Sequence, residues 1–500
     1  MLSSVSLPIE LLRTHPRLMA AGVILLQAVL WLLVPLLFYA SPPGELPQLL
    51  AEGRRFAAGG PHGPPLAFWL GEIAFRMGGI AGVYLLSQLC VAAAFAAVFL
   101  LSRSIVGEKQ AALAVVAMAA MVVFVAPAPE FGPAVLSMPL WALLLLHVWL
   151  AVWRERRLHW LAAGAMVGLL ILTSHLNLWL VLLLLTYLAW SSEGRAQLGF
   201  VEPFIGLFIA LVILFPQLIW LDTPGRELLW PAPSLASYAA SLLWLAALAI
   251  LAHLALLVLL ALACGWLRRD GGEAPAVERR PVVAEGRRYI LVFAIAPLSA
   301  LLFAPLVPAG VSWPAVAPLI LLSVLAVVVV LGDRIQLANQ RLLIWIWLAL
   351  MLAPVVAGAG GTVVGPWMGV RSLQVSLPSA EMGRHVASAF ERRTGRPLRI
   401  VTGEPRLAAL VAFGAPGRPQ VFDPLRPQLT PSVGRQDIER EGAVVVWRSV
   451  GGRGLPPAGI GAQFPGLVVE MPQAFDGPFG GPAIRLGWSV VRPKTPIPAK

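Results

Sequence analysis

Two glutamates stand where acid–base chemistry at a membrane face is feasible. Glu45 lies in the segment from Tyr39 to Phe68, YASPPGELPQLLAEGRRFAAGGPHGPPLAF, and Glu130 in the short run APAPEFGPA. A carboxylate in such a place can take a proton from an acceptor hydroxyl or amine, or hold a divalent metal against a phosphate leaving group. Two carboxylates sharing one low-dielectric site would repel, keeping one partly protonated near the working pH. The plain alternative for either glutamate alone is a solvated loop acid. Arg54 and Arg55, in the same loop as Glu45, are suited to neutralising a phosphate group bidentately, and equally suited to lying against lipid phosphates. His62 precedes Gly-Pro-Pro, which signals a turn before it signals a ligand. His175, in LTSHLNL, interrupts an apolar run and is either a phosphate or acceptor contact or a hydrogen-bonded core residue.

The elements that would position these residues follow from composition. The chain has 500 residues, 58% of them apolar and 12% charged, with mean hydropathy +0.81. Soluble domains run at about 45–50% apolar and about 25% charged, so the sequence describes a polytopic α-helical membrane protein. Disorder, collagen-like fibres and secreted disulfide scaffolds are excluded. Cys90 and Cys264 both fall in apolar runs and give no disulfide framework. The net charge of +12 is not gathered on one face or tail, which excludes a nucleic-acid partner. Its arginines cluster instead at the ends of apolar runs, as topology signals do.

A membrane span needs roughly 17–25 apolar residues. Candidates are 18–38, 81–101, 111–127, 134–152, 204–221, 237–266, 289–307, 314–331 and 342–359. The stretch from Trp160 to Trp190 is apolar for 31 residues but interrupted by Thr173, Ser174, His175 and Asn177. Read as two short helices it brings the expected total to about 11 transmembrane helices. With the N-terminus cytoplasmic, inner segments then hold 16 Lys and Arg and short outer loops hold four, Arg54, Arg55, Arg76 and Arg226. A single long helix would move the arginines from Arg268 to Arg288 outside, against the positive-inside rule. The first apolar run is about 21 residues, longer than the core of a cleavable signal, and reads as a retained anchor. The expected domains are 1-359, a transmembrane domain with an outer loop over 39-80, and 360-500, an extracytoplasmic α/β domain. In the latter, helical spacing covers Glu381 to Arg393 and Pro405 to Phe413, and strands are expected at Leu398 to Thr402, Ala443 to Arg448 and Leu467 to Glu470.

The run HGPPLAFWLGEIAFRMGG from His62 resembles the segment that ends the first periplasmic loop of GT-C membrane glycosyltransferases of family 39, which include protein O-mannosyltransferases and the lipid A aminoarabinose transferase. Further matches follow in order: PEFGPAVLSMPLWAL from Pro129, WLAAGAMVGLLILTSHLNL from Trp160, FPQLIWL from Phe215 and VTGEPRLAALVAFGAPGRPQVF from Val401. The resemblance implies a GT-C-like fold and transfer of a sugar from a polyprenyl-phosphate donor to a lipid, glycan or protein acceptor, at the outer face of a bacterial-type inner membrane. It implies Glu45 as the loop carboxylate, at or beside the family's leading Asp, and a divalent metal as the one cofactor to consider; Glu130 as a second catalytic carboxylate and Arg54, Arg55, His62 and His175 as substrate contacts are expectations from the residues themselves. The chain departs from the family at the leading loop Asp, since Gly44-Glu45 stands there, and at a Lys that relatives often carry where this chain has His175.

Two classes of function remain after the sequence is read: a competent lipid-linked-sugar glycosyltransferase, and a degenerate relative that keeps the scaffold as a binding or accessory protein. Ion-coupled transport is disfavoured because the spans are almost uncharged.

Overall fold

The computed structural model describes residues 7–222, 233–264, 281–306, 313–331, 340–365, 367–368, 374–449, 454–481 and 483–494. Arg226, Arg268, Arg269, Arg279, Arg280 and Arg334, part of the topology argument, lie outside the described residues. Contacts divide the chain into two units, Met1–Leu33 with Ala58–Ala67 and Val83–Val356, and Val34–Ala57 with Phe68–Gly82 and Ala357–Lys500. Parts of the expected outer loop therefore group with the tail.

The helices, in order, are α1 (Leu7–Thr14), α2 (Pro16–Phe38), α3 (Leu46–Gly53), α4 (Leu66–Ile105), α5 (Glu108–Ala119), α6 (Val122–Val125), α7 (Pro133–Val152), α8 (His159–Ile171), α9 (Leu176–Trp190), α10 (Ser192–Ala196), α11 (Glu202–Asp222), α12 (Leu235–Ala252), α13 (Leu254–Ala263), α14 (Ala284–Ile295), α15 (Val316–Leu319), α16 (Ser323–Leu331) and α17 (Gln340–Val364). Among the described residues, six helical stretches are long and apolar enough to cross a membrane, or seven if the bent pair Leu176–Trp190 and Ser192–Gly199 is one span. The other expected crossings are broken into shorter pieces. Proline accounts for two of the breaks, because it lacks an N–H and clashes with the preceding turn. After Ile295 the chain passes through Pro297 into 3-10 turns, and Pro318 ends the short α15.

The apolar run from Trp160 to Trp190 is two helices, α8 and α9, separated at Leu172 to His175. Asn177, at the start of α9, closes the break: its Nδ2 donates to Leu170 O (2.9 Å) and to Ser137 Oγ on α7 (2.8 Å). Helix α8 also crosses α11 backbone to backbone. A Cβ at Gly164 would lie 2.0 Å from the carbonyl oxygen of Gly206, and one at Gly206 would lie 2.5 Å from that of Trp160. Gly164 and Gly168 form a G-x-x-x-G stripe, which lets membrane helices approach closely. Alanine normally favours a helix over glycine, but here Gly164→Ala is expected to destabilise the protein by about 1–3 kcal/mol through overpacking. Thermal unfolding in detergent gives the sign: a stabilised variant would mean the two backbones are free to separate.

In the second unit, the tail carries α18 (Ser379–Thr394), α19 (Pro405–Gly414), α20 (Arg435–Glu441), α21 (Ala458–Gln463) and strands β1 (Ile400–Gly403), β2 (Gln420–Phe422), β3 (Ala443–Arg448), β4 (Gln473–Phe475) and β5 (Ile484–Val491). The sheet order is β2-β1-β3-β5-β4, with β1 parallel to β2 and β3, and β5 antiparallel to β3 and β4. Alternation splits the strands between two cores. Val401, Val444 and Val446 face α18 and α19 through Val386, Phe390 and Leu410. Ile400, Phe422 and Ala443 face Ile438 of α20. The strand expected at Leu467 to Glu470 is not formed. The segment follows the sheet edge by Glu470 N to Trp488 O (3.1 Å) with Val468 and Met471 turned out to 74% and 88% exposure, and the edge strand β4 begins only after Pro472.

Candidate active site

Glu45 immediately precedes α3, whose first turn holds Pro47. Gly44 before it takes φ +53°, a left-handed conformation that suits glycine. The loop ahead of the glutamate is pinned from one side: Gln374 Nε2 donates to the carbonyls of Pro42 (3.1 Å) and Gly44 (2.8 Å), Ala40 N donates to Val375 O (2.8 Å), and the Ser41 hydroxyl donates to Leu377 O. The carboxylate itself meets Arg406, from the first turn of α19, whose Nε (3.1 Å) and Nη2 (2.8 Å) both donate to Oε1. The pair is open to water, with side chains 51% and 73% exposed.

Arg54 caps α3 and its Nη1 donates to the carbonyls of Gly417 and Arg418. Arg55 beside it is exposed. Glu45, Arg54 and Arg55 thus all belong to the second unit, with the tail.

Glu130, His62 and His175 belong to the first unit. His62 sits in a tight turn closed by Gly63 N to Gly60 O (3.1 Å), as the Gly-Pro-Pro context suggests. The end of that turn reaches the break in the long apolar run, because Leu66 N donates to Leu172 O (3.0 Å). Glu130 lies half-buried in the loop before α7, its N–H donating to Pro127 O (2.8 Å), and the same α7 offers Ser137 to Asn177 two residues beyond His175. Backbone and side-chain bonds therefore join the three segments that carry these residues. Among the described residues, no group of three His, Cys, Asp or Glu converges as a metal site.

Sequence reading missed the most buried carboxylate of the second unit. Glu72, with a side chain 2% exposed, accepts from Arg418 Nη1 at Oε1 (3.2 Å) and Nη2 at Oε2 (2.9 Å), and from Arg76 Nε (3.0 Å). Arg418 also donates to Leu50 O (2.7 Å) and lies over the Phe75 ring, 4.4 Å from its centroid. This ion cluster ties α3, the first turns of α4 and the turn after α19 together. A signal was present in the i,i+4 pair Glu72–Arg76 within an otherwise apolar helix face.

Residues 62–220 match the family described as dolichyl-phosphate-mannose-protein mannosyltransferase. No curated protein sequence matches the chain significantly. Among solved structures the chain is similar to ArnT from Cupriavidus metallidurans bound to undecaprenyl phosphate, with TM-score 0.58 and 14% identity over 94% of this chain and 97% of that one. It is similar also to the apo state of the same protein, with TM-score 0.51 and 15% identity over the same shares. The resemblance to GT-C membrane glycosyltransferases carried by the sequence agrees with the family match across 62–220, and over nearly the whole chain the likeness to the solved structure is one of fold.

Proposed function

We propose that the protein transfers a hexose or pentose from a polyprenyl-phosphate donor to a hydroxyl or amine of a lipid, glycan or protein acceptor, with inversion at the sugar. The supporting observation is the first-loop carboxylate: Glu45 is set at the start of α3 by a pinned loop and a tail arginine, in a chain with the fold of a protein crystallised with undecaprenyl phosphate. In this reading Glu45 takes the acceptor proton as the acceptor oxygen or nitrogen attacks the anomeric carbon, and the polyprenyl phosphate leaves with the bonding electrons. Arg54 and Arg55 are assigned to the charge that develops on the departing phosphate. The His62 turn and the His175 break are assigned to binding of the donor by the first unit.

The reading also takes the eleven crossings, the cytoplasmic N-terminus and the extracytoplasmic tail from the arginine distribution, and the tail as an α/β layer limiting access to the first loop. An accessory role without catalysis is the second reading. It is favoured by the engagement of Arg406 on the Glu45 carboxylate and of Arg54 on backbone carbonyls. Native mass spectrometry of the purified chain separates donor binding from general lipid adhesion. The expected result is retention of polyprenyl phosphate at least tenfold above polyprenol of equal length, and equal retention would reject recognition of the phosphate.

A further inference from the structure

An apolar cavity of about 110 Å³, not closed on all sides, lies within the first unit, walled by α1, α2, α5, α13, α16 and α17, and its lining includes none of the candidate site residues. Its lining is wholly apolar and includes Leu12, Met19, Leu113, Ala117, Leu260 and Ile344. An apolar void of this kind stays dry and accepts apolar guests; an engineered cavity of about 150 Å³ takes benzene. Left empty, its walls forfeit their dispersion contacts.

Cations outnumber acids on the helix ends next to this lining, where Arg13, Arg17, Arg103 and Lys109 stand with Glu10 and Glu108. Lys109 stands one helical turn before Leu113 and shares the stripe of α5 that continues through Val116 and Ala117. Arg13 follows Leu12 on α1, and Arg17 precedes Met19 by two residues on α2. Arg17 Nη2 (2.5 Å) and Arg103 Nε (3.1 Å) both converge on Oε1 of Glu108, the first residue of α5. Each guanidinium carries five N–H donors, more than one carboxylate oxygen absorbs.

We propose that this cavity seats the end of an acyl chain of an anionic phospholipid whose phosphate lies among Arg13, Arg17, Arg103 and Lys109. The apolar lining sets the chain and the excess of cations on the adjoining helix ends sets the headgroup, since basic residues next to a span attract anionic lipid.

The test uses the full chain, purified and delipidated, with phosphatidylglycerol and phosphatidylcholine of identical acyl chains, read by native mass spectrometry. Retention of phosphatidylglycerol is expected to exceed that of phosphatidylcholine at least tenfold. Ala117→Phe, which fills the cavity, is expected to abolish retention, and Ile344→Phe approaches the same space from α17 in case the first variant unfolds. Arg13→Gln with Lys109→Gln is expected to lower the preference about fivefold per cation removed while the chain is still held. Equal retention of the two lipids, unchanged retention in both folded cavity-filling variants, or displacement by glycerol phosphate lacking any chain would each overturn the proposal.

Discussion

Glu45→Gln is expected to lower sugar transfer by about 10²–10⁴-fold, the usual loss when a general base is removed, while leaving the protein folded. The amide keeps the size of the side chain and its capacity to accept from Arg406, but it cannot take the acceptor proton. Its effect on stability is small because the ion pair it weakens is half exposed, and such pairs contribute roughly 0–1 kcal/mol. The same weakness lets the carboxylate exchange its arginine for an acceptor at little cost. Rates measured with labelled polyprenyl-phosphate sugar, alongside an unfolding transition for each variant, separate chemistry from folding. Transfer at the wild-type rate would remove Glu45 from the mechanism. Glu130→Gln belongs in the same series: a loss confined to that variant would move the base to Glu130.

The largest effect on stability is expected at Glu72. Arg418→Ala leaves a carboxylate that is 2% exposed with only Arg76 to offset it, and breaking a buried ion pair from one side costs about 3–5 kcal/mol. Glu72→Leu strands Arg418 instead and is expected to cost a similar amount. Replacing both, Glu72→Leu with Arg418→Met, removes the two charges together, and exchange of a buried pair for apolar residues is often neutral. Urea unfolding in detergent of the wild type, Glu72→Leu, Arg418→Met and the double variant gives the coupling as the departure from additivity. Additive losses would show that the carboxylate and guanidinium do not depend on one another. Early proteolysis of the tail in Arg418→Ala, with the double variant resistant, is the accompanying sign that this cluster holds α3 and the turn after α19 together.

Much of this architecture was legible from residue order. Four interrupting polar residues placed the break between α8 and α9, whereas the failure of helical geometry at Gly78 and Gly79 inside α4, the latter at φ +60°, is visible only in the fold. The strand expected over Ala443 to Arg448 is β3 to the residue, and the one expected over Leu398 to Thr402 is β1, which starts two residues later and ends one later. Reading failed where tertiary context decided. Leu467 to Glu470 has strand composition and packs Leu467 and Val469 on Val445, Trp447 and Ile460, but Val468 meets no layer on the outer side and Pro472 interrupts the edge. Apolar content alone marked 289–307 and 314–331 as continuous spans, whereas their prolines divide them.

At the candidate site, the residue types were visible and their partners were not. Arg406 reads in sequence as an exposed residue of a tail helix, and only folding brings it across 361 positions to Glu45. Glu72 reads as a polar interruption on an apolar helix face, because its principal partner lies 346 positions away. Arg54 looked available for a phosphate, yet its Nη1 is directed to two backbone carbonyls. Long-range ion pairs carry no local periodicity, so spacing rules cannot reveal them.

The most direct test of sugar transfer is a single-turnover experiment in vesicles holding the purified protein and a polyprenyl-phosphate sugar labelled in both sugar and phosphate, with extracted envelope lipids, glycans and proteins as acceptors. Release of polyprenyl phosphate matched mole for mole by sugar on one acceptor fraction, and lost in Glu45→Gln, is the predicted result. A protein that binds polyprenyl phosphate yet leaves every donor intact with every acceptor fraction would contradict the catalytic account and favour the accessory role.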